Sequence, residues 1–374
     1  MFTPRRSTTI GLALVSGLAL LGSACSDSGD EATPDTTTPA AAGRSTTTTA
    51  PAASDTVTIP LTVESSSEGA RVVVQASVGG GPTVPMLLDT GSSGVVVASS
   101  ALGSEAQVGT ESAQIPYIDV TVTGTVAQAT VTMGSLSTTS PIAVIDVTGA
   151  TCGTDGSNPR SCDVRGAFGD GVQGVIGIGL SDGPSPASPD FSPLLQMGAP
   201  YDEGFTVELP PSGSGDGSLV VGPVDAPSGA VSVPLVASSS PTYPNGLTAW
   251  AKDVELCWTV GSADGCGPTD LDVGSALTAL SPSALPGLPT GSDEEVDLGS
   301  PVTVAQTERG LPLWSFTAGS TVSDDLVVSS TDLGTTTQFN TGIAFFFANV
   351  VGYDNAHGQL WIWPQGGGSA ASKV

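Results

Sequence analysis

The sequence predicts a mostly β protein whose two similar lobes are related by a pseudo-twofold axis. The first observation behind this prediction is composition: 374 residues include 49 Gly and 29 Pro, and long amphipathic helical patterns are hard to find. Runs rich in β-branched residues between Gly- and Pro-rich turns are typical of strands. The second observation is a motif that occurs twice, about half the globular length apart. We therefore expect little helix and a duplicated architecture.

The chain divides into five predicted segments. The first resembles an export signal, because Arg5 and Arg6 precede an apolar stretch that is too short to span a membrane. The second has almost no large apolar side chains, so it cannot bury enough surface to offset its ordering entropy. The predicted segments are a lipoprotein-type signal peptide (1–25), a disordered stalk (26–56), an N-terminal lobe (57–210), a C-terminal lobe (211–364) and a disordered tail (365–374).

The cysteines indicate an oxidising compartment. The chain has five, and two pairs each lie on either side of a short Gly-rich loop, which predicts the disulfides Cys152–Cys162 and Cys257–Cys266. This pairing leaves Cys25 alone.

The surroundings of Cys25 resemble a bacterial lipoprotein cleavage box, although Gly22 stands where that box more often has Leu. A lipid on Cys25 would anchor the chain to the outer face of the cytoplasmic membrane or to the cell envelope. The alternative is ordinary cleavage after Ala24.

The charge balance argues against several classes of partner. Nine basic and 36 acidic residues give a formal charge of −27, a surface that repels nucleic acid. The single histidine, His357, is expected to be a surface turn residue. With one histidine and no clustered cysteines, the sequence supplies too few ligands for a zinc site of the usual kind. We predict no metal, no cofactor and no nucleic-acid partner, and we expect a monomer.

The duplicated motif brings two acids into equivalent positions. "LDTGSSGVVVASSAL" (Leu88 to Leu102) aligns with "LDVGSALTALSPSAL" (Leu271 to Leu285), matching Asp89 with Asp272 and the Gly-Ser that follows each. Asp270 lacks a glycine two residues on, so Asp272 is the better equivalent. If the lobes meet at these turns, the two carboxyls share one proton, because both cannot readily ionise at hydrogen-bond distance. One acid and one base facing a trapped water can hydrolyse a substrate.

With these motifs the sequence resembles the pepsin-like aspartic proteases, and more particularly their bacterial cell-envelope relatives. The resemblance spans nearly all of Val57 to Pro364. It includes "GVIGIGL" (174–180), similar to a strand that threads beside the first Asp loop, "GSLVVGPVD" (217–225), the hairpin of 250–275 and the closing strands of 345–364. It implies a double β-barrel with an active-site cleft between the lobes.

The resemblance also assigns roles to residues around the acids. Asp89 and Asp272 would activate the water, and an extended peptide or protein segment would be the substrate. The residues expected to support this pair are Thr90, Gly91, Ser92, Gly274 and Ser275, with the Ser92 and Ser275 hydroxyls bonded to the outer carboxylate oxygens.

Two further residues are expected to contact a substrate. Tyr117 stands where the family has the tyrosine of a hairpin flap, although Ile118 and Val120 replace glycines usual there. Tyr117 is therefore read as substrate-covering, with a plain strand tyrosine as the alternative. Val96 is expected to line an apolar subsite.

Val273 departs from the resemblance, because the family has Thr or Ser after each acid, with a hydroxyl that bonds across the axis. Thr90 can make this bond, whereas Val273 cannot, so a buried backbone group is expected to lose a partner at a cost of about 1–3 kcal/mol. The leading interpretation is an aspartic endopeptidase outside the cell membrane. The alternative is a catalytically impaired envelope lipoprotein of the same fold that binds peptides or surface ligands.

Overall fold

The computed structural model describes residues 55–66, 69–117, 120–153, 159–180, 191–243, 245–288, 296–319, 328–329 and 337–367. The predicted signal peptide, including Cys25, and nearly all of the predicted stalk lie outside these residues. The α-helices of the described part are two single turns, α1 (Val164–Phe168) and α2 (Ala344–Ala348). Neither is long or apolar enough to cross a membrane. The prediction of a mostly β fold is confirmed.

Sixteen of the described strands form one large sheet. Its strand order is β14-β25-β24-β12-β13-β1-β2-β3-β11-β4-β9-β6-β5, with β7, β8 and β10 attached at its side. These strands are β1 (Val57–Ser66), β2 (Gly69–Val78), β3 (Val84–Asp89), β4 (Ser93–Ala98), β5 (Gln107–Pro116), β6 (Val120–Ala129), β7 (Val131–Met133), β8 (Leu136–Ser137), β9 (Ile142–Cys152), β10 (Arg160–Cys162), β11 (Gly174–Ile178), β12 (Gly204–Glu208), β13 (Gly215–Val221), β14 (Val231–Pro234), β24 (Asn349–Asp354) and β25 (Gln359–Pro364).

The C-terminal half contributes two further sheets. Seven strands run in the order β21-β20-β17-β18-β23-β19-β22, and β15 pairs with β16. These strands are β15 (Ala237–Thr242), β16 (Thr248–Trp250), β17 (Val254–Val260), β18 (Ala263–Asp270), β19 (Thr278–Leu280), β20 (Pro301–Ala305), β21 (Pro312–Thr317), β22 (Val328–Ser329) and β23 (Phe339–Asn340). Single 3₁₀ turns cover Leu194–Gln196 and Gln365–Gly367.

The middle of the large sheet is shared by both halves of the chain. β1 pairs with β13 as well as with β2, and β12 pairs with both β13 and β24. The predicted boundary between residues 210 and 211 therefore falls inside a continuous sheet. The lobes are two halves of one compact unit rather than separable domains.

In the N-terminal half, strand pairing fixes the position of Asp89 at the end of β3. β11, which contains most of "GVIGIGL", lies parallel to β3 with Gly177 beside Asp89, and antiparallel to β4. A methyl group at Gly177 would lie 2.8 Å from the Ser93 backbone, so only glycine fits between the two strands. The predicted threading strand is confirmed.

The C-terminal half repeats this arrangement with different residues. β18 ends at Asp270, and β23 lies parallel to it with Asn340 beside Asp270. β19 pairs with β23 on the other side. The motif carrying Asp272 is thus held by a threading strand, as the pseudo-twofold relation predicts.

Two expectations about the end of the chain are wrong. Phe345 to Phe347 are buried as core residues, but they form α2 rather than part of a closing strand. The predicted tail begins too early, because the Gln365 side-chain amide donates hydrogen bonds to the Phe346 and Asn349 carbonyls. Residues 368–374 lie outside the described part.

An aromatic cluster forms the core of the C-terminal half and supports β23. Trp258 stacks on Phe339 at 5.4 Å and meets Trp314 edge-on at 6.3 Å. Its indole N–H donates to Thr269 Oγ1 at 3.2 Å, so the buried donor is satisfied. Since Phe339 precedes Asn340, this cluster fixes the strand that borders the second acidic motif.

We expect Trp258→Ala to lower the free energy of unfolding by about 3–5 kcal/mol, because it removes a fully buried indole and leaves a cavity. Leu311→Ala is the control, since Leu311 is 84% exposed and should change stability by less than about 0.5 kcal/mol. Urea unfolding of both variants measures the difference. Equal effects would contradict the assigned core.

Candidate active site

The two acidic motifs meet face to face, and each leaves space for the carboxyl of the other. Asp89 and Asp272 are both buried, at 8% exposure, and their side chains are hydrogen-bonded. A methyl group at Gly91 would lie 2.4 Å from Asp272 Cγ, and one at Gly274 would lie 2.4 Å from Asp89 Oδ1. Both distances are shorter than any real contact, so the approach of the carboxyls requires glycine at both positions.

Each carboxyl is held by groups of its own loop. Asp89 Oδ1 accepts a hydrogen bond from the Gly91 backbone N–H at 2.8 Å, and Asp89 Oδ2 accepts one from the Ser92 hydroxyl. Asp272 Oδ1 accepts two backbone N–H bonds, from Gly274 at 2.8 Å and from Ser275 at 3.1 Å. The structure thus brings the predicted acids, glycines and serines together.

The Ser275 hydroxyl does not act as predicted. It donates to the Leu277 carbonyl at 2.9 Å, turned toward its own loop rather than toward Asp272. The outer oxygen of Asp272 instead accepts a hydrogen bond from Asn340 Nδ2 at 2.7 Å. Sequence reasoning missed Asn340, because it lies 68 residues from Asp272 and outside the duplicated motif.

Thr90 joins the two halves beneath the carboxyls, as predicted. Its hydroxyl donates to the Leu271 carbonyl at 2.7 Å and accepts from the Val273 N–H at 2.8 Å. The Tyr353 hydroxyl also donates to Leu271, at 3.1 Å. The Val273 side chain is fully buried in the apolar core. Among the described residues, this cross-lobe hydroxyl contact is therefore made from the N-terminal half alone.

The environment of Asp89 favours its protonated form. Burial raises the pKa of Asp89, and the nearby Asp272 carboxylate raises it further, to about 7, although the Ser92 hydrogen bond opposes this shift. A carboxyl with this pKa keeps its proton throughout the acidic range. The pair can therefore hold a proton on one side and a charge on the other.

Tyr117 lies near Asp89, at the turn of the β5–β6 hairpin. Its N–H donates to the Val120 carbonyl at 2.6 Å, and its ring meets Phe168 edge-on at 5.5 Å. Burial and the Asp89 charge raise the pKa of its hydroxyl. Val96, by contrast, is 1% exposed and packs in a core cluster, so it offers almost no surface to a substrate, contrary to expectation.

A partly buried ion pair involves Asp270, two residues before Asp272. Lys252 Nζ bonds to Asp270 and lies 3.4 Å from Asp253 Oδ1. Burial lowers the pKa of Lys252, but the Asp270 and Asp253 charges outweigh burial and raise it, so the lysine is charged. Asp270, which the motif comparison set aside, is thus the partner of a lysine rather than part of the carboxyl pair.

Both predicted disulfides are present, with S–S distances of 2.07 Å for Cys152–Cys162 and 2.02 Å for Cys257–Cys266. The first joins β9 to β10 beside the β5–β6 hairpin, because Cys152 pairs with Val120. Within the described residues, no cluster of His, Cys, Asp and Glu side chains could hold a metal ion.

Two comparisons with known proteins identify similarity to aspartic peptidases. The family model of the PE-PGRS C-terminal aspartyl peptidase-like domain matches residues 57–359. Among solved structures, an aspartic proteinase from Irpex lacteus is similar at a TM-score of 0.55 and 18% identity, covering 85% of this chain and 100% of that one. A search of curated proteins finds no match. The structural likeness shows the pepsin-like aspartic proteinase fold.

We expect Thr90→Val to lower the free energy of unfolding by about 1–3 kcal/mol, because the buried Val273 N–H loses its described acceptor. Thr90→Ser keeps the hydroxyl and should recover most of this loss. Thermal and urea unfolding of both variants test the expectation. Equal destabilisation by Val and Ser would show that the methyl group, not the cross-lobe bond, matters.

The raised pKa of Asp89 predicts a pH-dependent stability. The folded protein holds this proton up to about pH 7, whereas the unfolded chain loses it near the ordinary value of 3.8. Folding stability should therefore fall as pH rises from about 4 to about 7, by up to a few kcal/mol. Asp89→Asn should flatten this decline, and the exposed Asp297→Asn should not. Parallel pH profiles for wild type and Asp89→Asn would contradict the assignment.

Proposed function

The chain belongs to the family of PE-PGRS C-terminal aspartyl peptidase-like domains, and we propose on this basis that it is an aspartic endopeptidase. The observation that carries the proposal is the hydrogen-bonded pair of buried carboxyls, one from each half of the chain. Such a pair supplies both an acid and a base at a single site.

In the proposed reaction, a water molecule lies between the two carboxyls. The ionised carboxyl takes a proton from the water, and the oxygen of that water attacks the scissile carbonyl carbon. The protonated carboxyl gives its proton to the carbonyl oxygen, which forms a neutral tetrahedral diol. Collapse of the diol breaks the C–N bond: one diol hydroxyl returns its proton to the ionised carboxyl, and the departing nitrogen takes the proton held by the other carboxyl, which restores the starting pair. No covalent intermediate with the protein is required.

We propose that the substrate is an extended peptide or protein segment lying over the carboxyls, beneath the β5–β6 hairpin. The position of Tyr117 near Asp89 supports a role for this residue in covering the substrate. Its contact with Phe168 would hold the ring in place before substrate binds.

A specific observation favours a second candidate, a peptide-binding protein of impaired activity. The described cross-lobe hydroxyl contact is made by Thr90 alone, since Val273 carries no hydroxyl. A looser pair could bind a peptide without cleaving it. Binding of a pepstatin-like inhibitor together with peptide turnover would exclude this candidate, and binding without turnover would favour it.

We further propose that the protein is exported and is anchored outside the cytoplasmic membrane by a lipid on Cys25. The Arg5–Arg6 pair, the apolar stretch and Cys25 itself support this proposal. Mass spectrometry of the mature N-terminus tests it. A mature chain that begins at Cys25 with diacylglycerol attached is expected, and an unmodified N-terminus would contradict it.

The protease proposal is tested by cleavage of a denatured protein at about pH 4–5, below the pKa of Asp89. Asp89→Asn and Asp272→Asn should each reduce turnover by roughly a thousandfold or more, because an amide can replace neither the acid nor the base. Asp297→Asn, at an exposed position, is the matched control and should keep full activity. Retained activity in either of the first two variants would refute the proposal.

A further inference from the structure

We propose that Asn340 is a positioning residue that fixes the negative charge of the pair on Asp272 and thereby makes Asp89 the proton carrier. The inference deepens the proposed protease function and rests on it for its catalytic meaning. It assigns different roles to two acids that a duplicated motif would otherwise make equivalent.

The orientation of the Asn340 amide is fixed from both ends. The side chain is buried, at 5% exposure. Its Oδ1 accepts the Gly342 N–H at 2.8 Å, which leaves only the NH₂ group to face Asp272 Oδ2 at 2.7 Å. A flipped amide would place the NH₂ group against the Gly342 N–H and an oxygen against a carboxylate oxygen. Asn340 can therefore act at Asp272 only as a donor.

The donors around the two acids differ in kind. All three described hydrogen bonds to Asp272, other than the one with Asp89, come from N–H groups, which cannot accept a proton. A proton on Asp272 would thus weaken these N–H hydrogen bonds, which are strongest when the accepting carboxyl is charged. Bonds of this kind favour the charged form of a carboxyl.

Asp89 is more tolerant of a proton. Its described partners, apart from Asp272, are the Gly91 N–H and the Ser92 hydroxyl. A hydroxyl can rotate and accept, so Asp89 Oδ2 can carry a hydrogen without losing its partner. The raised pKa of Asp89, to about 7 through burial and the Asp272 charge, agrees with this distribution.

The other charged and titratable groups near Asp272 do not replace Asn340. Lys252 contacts Asp270 and Asp253 rather than Asp272, and the Asp272 charge is the weakest of the influences on its pKa. Burial raises the pKa of Asp270, and the contacting Lys252 charge opposes this rise. Tyr353 is neutral, and its hydroxyl donates to Leu271 rather than to a carboxyl. Among the described side chains other than Asp89, Asn340 is therefore the one that donates directly to an oxygen of Asp272.

The position of Asn340 is set by backbone pairing between two strands. It lies on β23, in parallel register with Asp270, and the next N–H along the chain, that of Thr341, donates to the Asp270 carbonyl at 3.0 Å. Phe339, the preceding residue, is packed in the aromatic core. Strand pairing thus holds Asn340 beside Asp270, the last residue of β18, and Asp272 follows two residues later in the chain.

The direct test is a titration of both acids by NMR, with ¹³Cγ-labelled aspartate in the full chain. Resonances are assigned by their loss in Asp89→Asn and Asp272→Asn. We expect the proton that the pair retains to be found on Asp89 up to about pH 7. In Asn340→Leu, ionisation of Asp272 should move up by about one pH unit, a tenfold change. Asp89 ionising first, or no shift in Asn340→Leu, would overturn the inference.

Two other variants separate positioning from folding. Asn349→Leu removes another buried amide of the same half, which donates to the Phe345 carbonyl. This variant should leave unchanged the order and the midpoints of ionisation of the two acids. Asn340→Asp keeps the shape of the side chain, so it tests the inference if Asn340→Leu does not fold. Asn340→Asp should move the ionisation of Asp272 to higher pH by at least as much as Asn340→Leu does, because a like charge replaces the donor. A shift in Asn349→Leu equal to that in Asn340→Leu would overturn the inference.

The pH profile of kcat/KM gives an independent readout. Asn340→Leu should move the acid limb up by about one unit and leave the upper limb in place. Ser92→Ala should move the upper limb to higher pH, since the Ser92 hydrogen bond lowers the pKa of Asp89. The inference would be overturned if Asn340→Leu moved the upper limb and Ser92→Ala moved the acid limb. The NMR titration needs no turnover, so an inactive chain in which Asp272 ionises first would refute the protease proposal and leave this one standing.

Discussion

The structure depends on one constraint: two carboxyls brought together in a buried site cannot both be charged. The closeness of Asp89 and Asp272 makes this constraint effective, and the glycines at 91 and 274 make the closeness possible. The shared middle sheet supplies the rigidity, since β1, β12, β13 and β24 tie the two halves into one body. A loose hinge between the halves would separate the acids and remove their electrostatic coupling.

The two halves hold their acids by similar backbone geometry but with different side chains. Each motif follows a strand that is flanked by a parallel threading strand, β11 in one half and β23 in the other. The hydroxyl contact across the axis comes from Thr90, whereas the C-terminal half contributes an apolar Val273. The backbone pattern keeps the acids in place, and the side chains around it make their environments unequal.

Much of the fold and part of the site could be predicted from the sequence. The repeat of Leu-Asp-x-Gly-Ser identified both acids and their glycines, because close approach of backbone to carboxyl leaves a local signature. The disulfides were predictable for the same reason, since each pair lies within a short stretch of chain. Local spacing is sufficient where the partners are neighbours in sequence.

The errors arise where packing, not local sequence, decides. The sequence places Val96 in a strand but does not decide which face of the sheet its side chain occupies. Its burial is evident only from the core cluster in which it packs. The Ser275 hydroxyl bonds its own loop, because the amide of Asn340 from a distant strand already occupies the outer oxygen of Asp272. Neither outcome follows from motif spacing, which contains no information about which distant strand threads beside it.

The most direct measurement of the central claim is a neutron crystal structure at about pH 5, below the pKa of about 7 of Asp89. The account predicts a single deuteron between the two carboxyls, bonded to an oxygen of Asp89, with both oxygens of Asp272 free of deuterium. Two deuterons, none, or carboxyls separated beyond hydrogen-bond distance would contradict it.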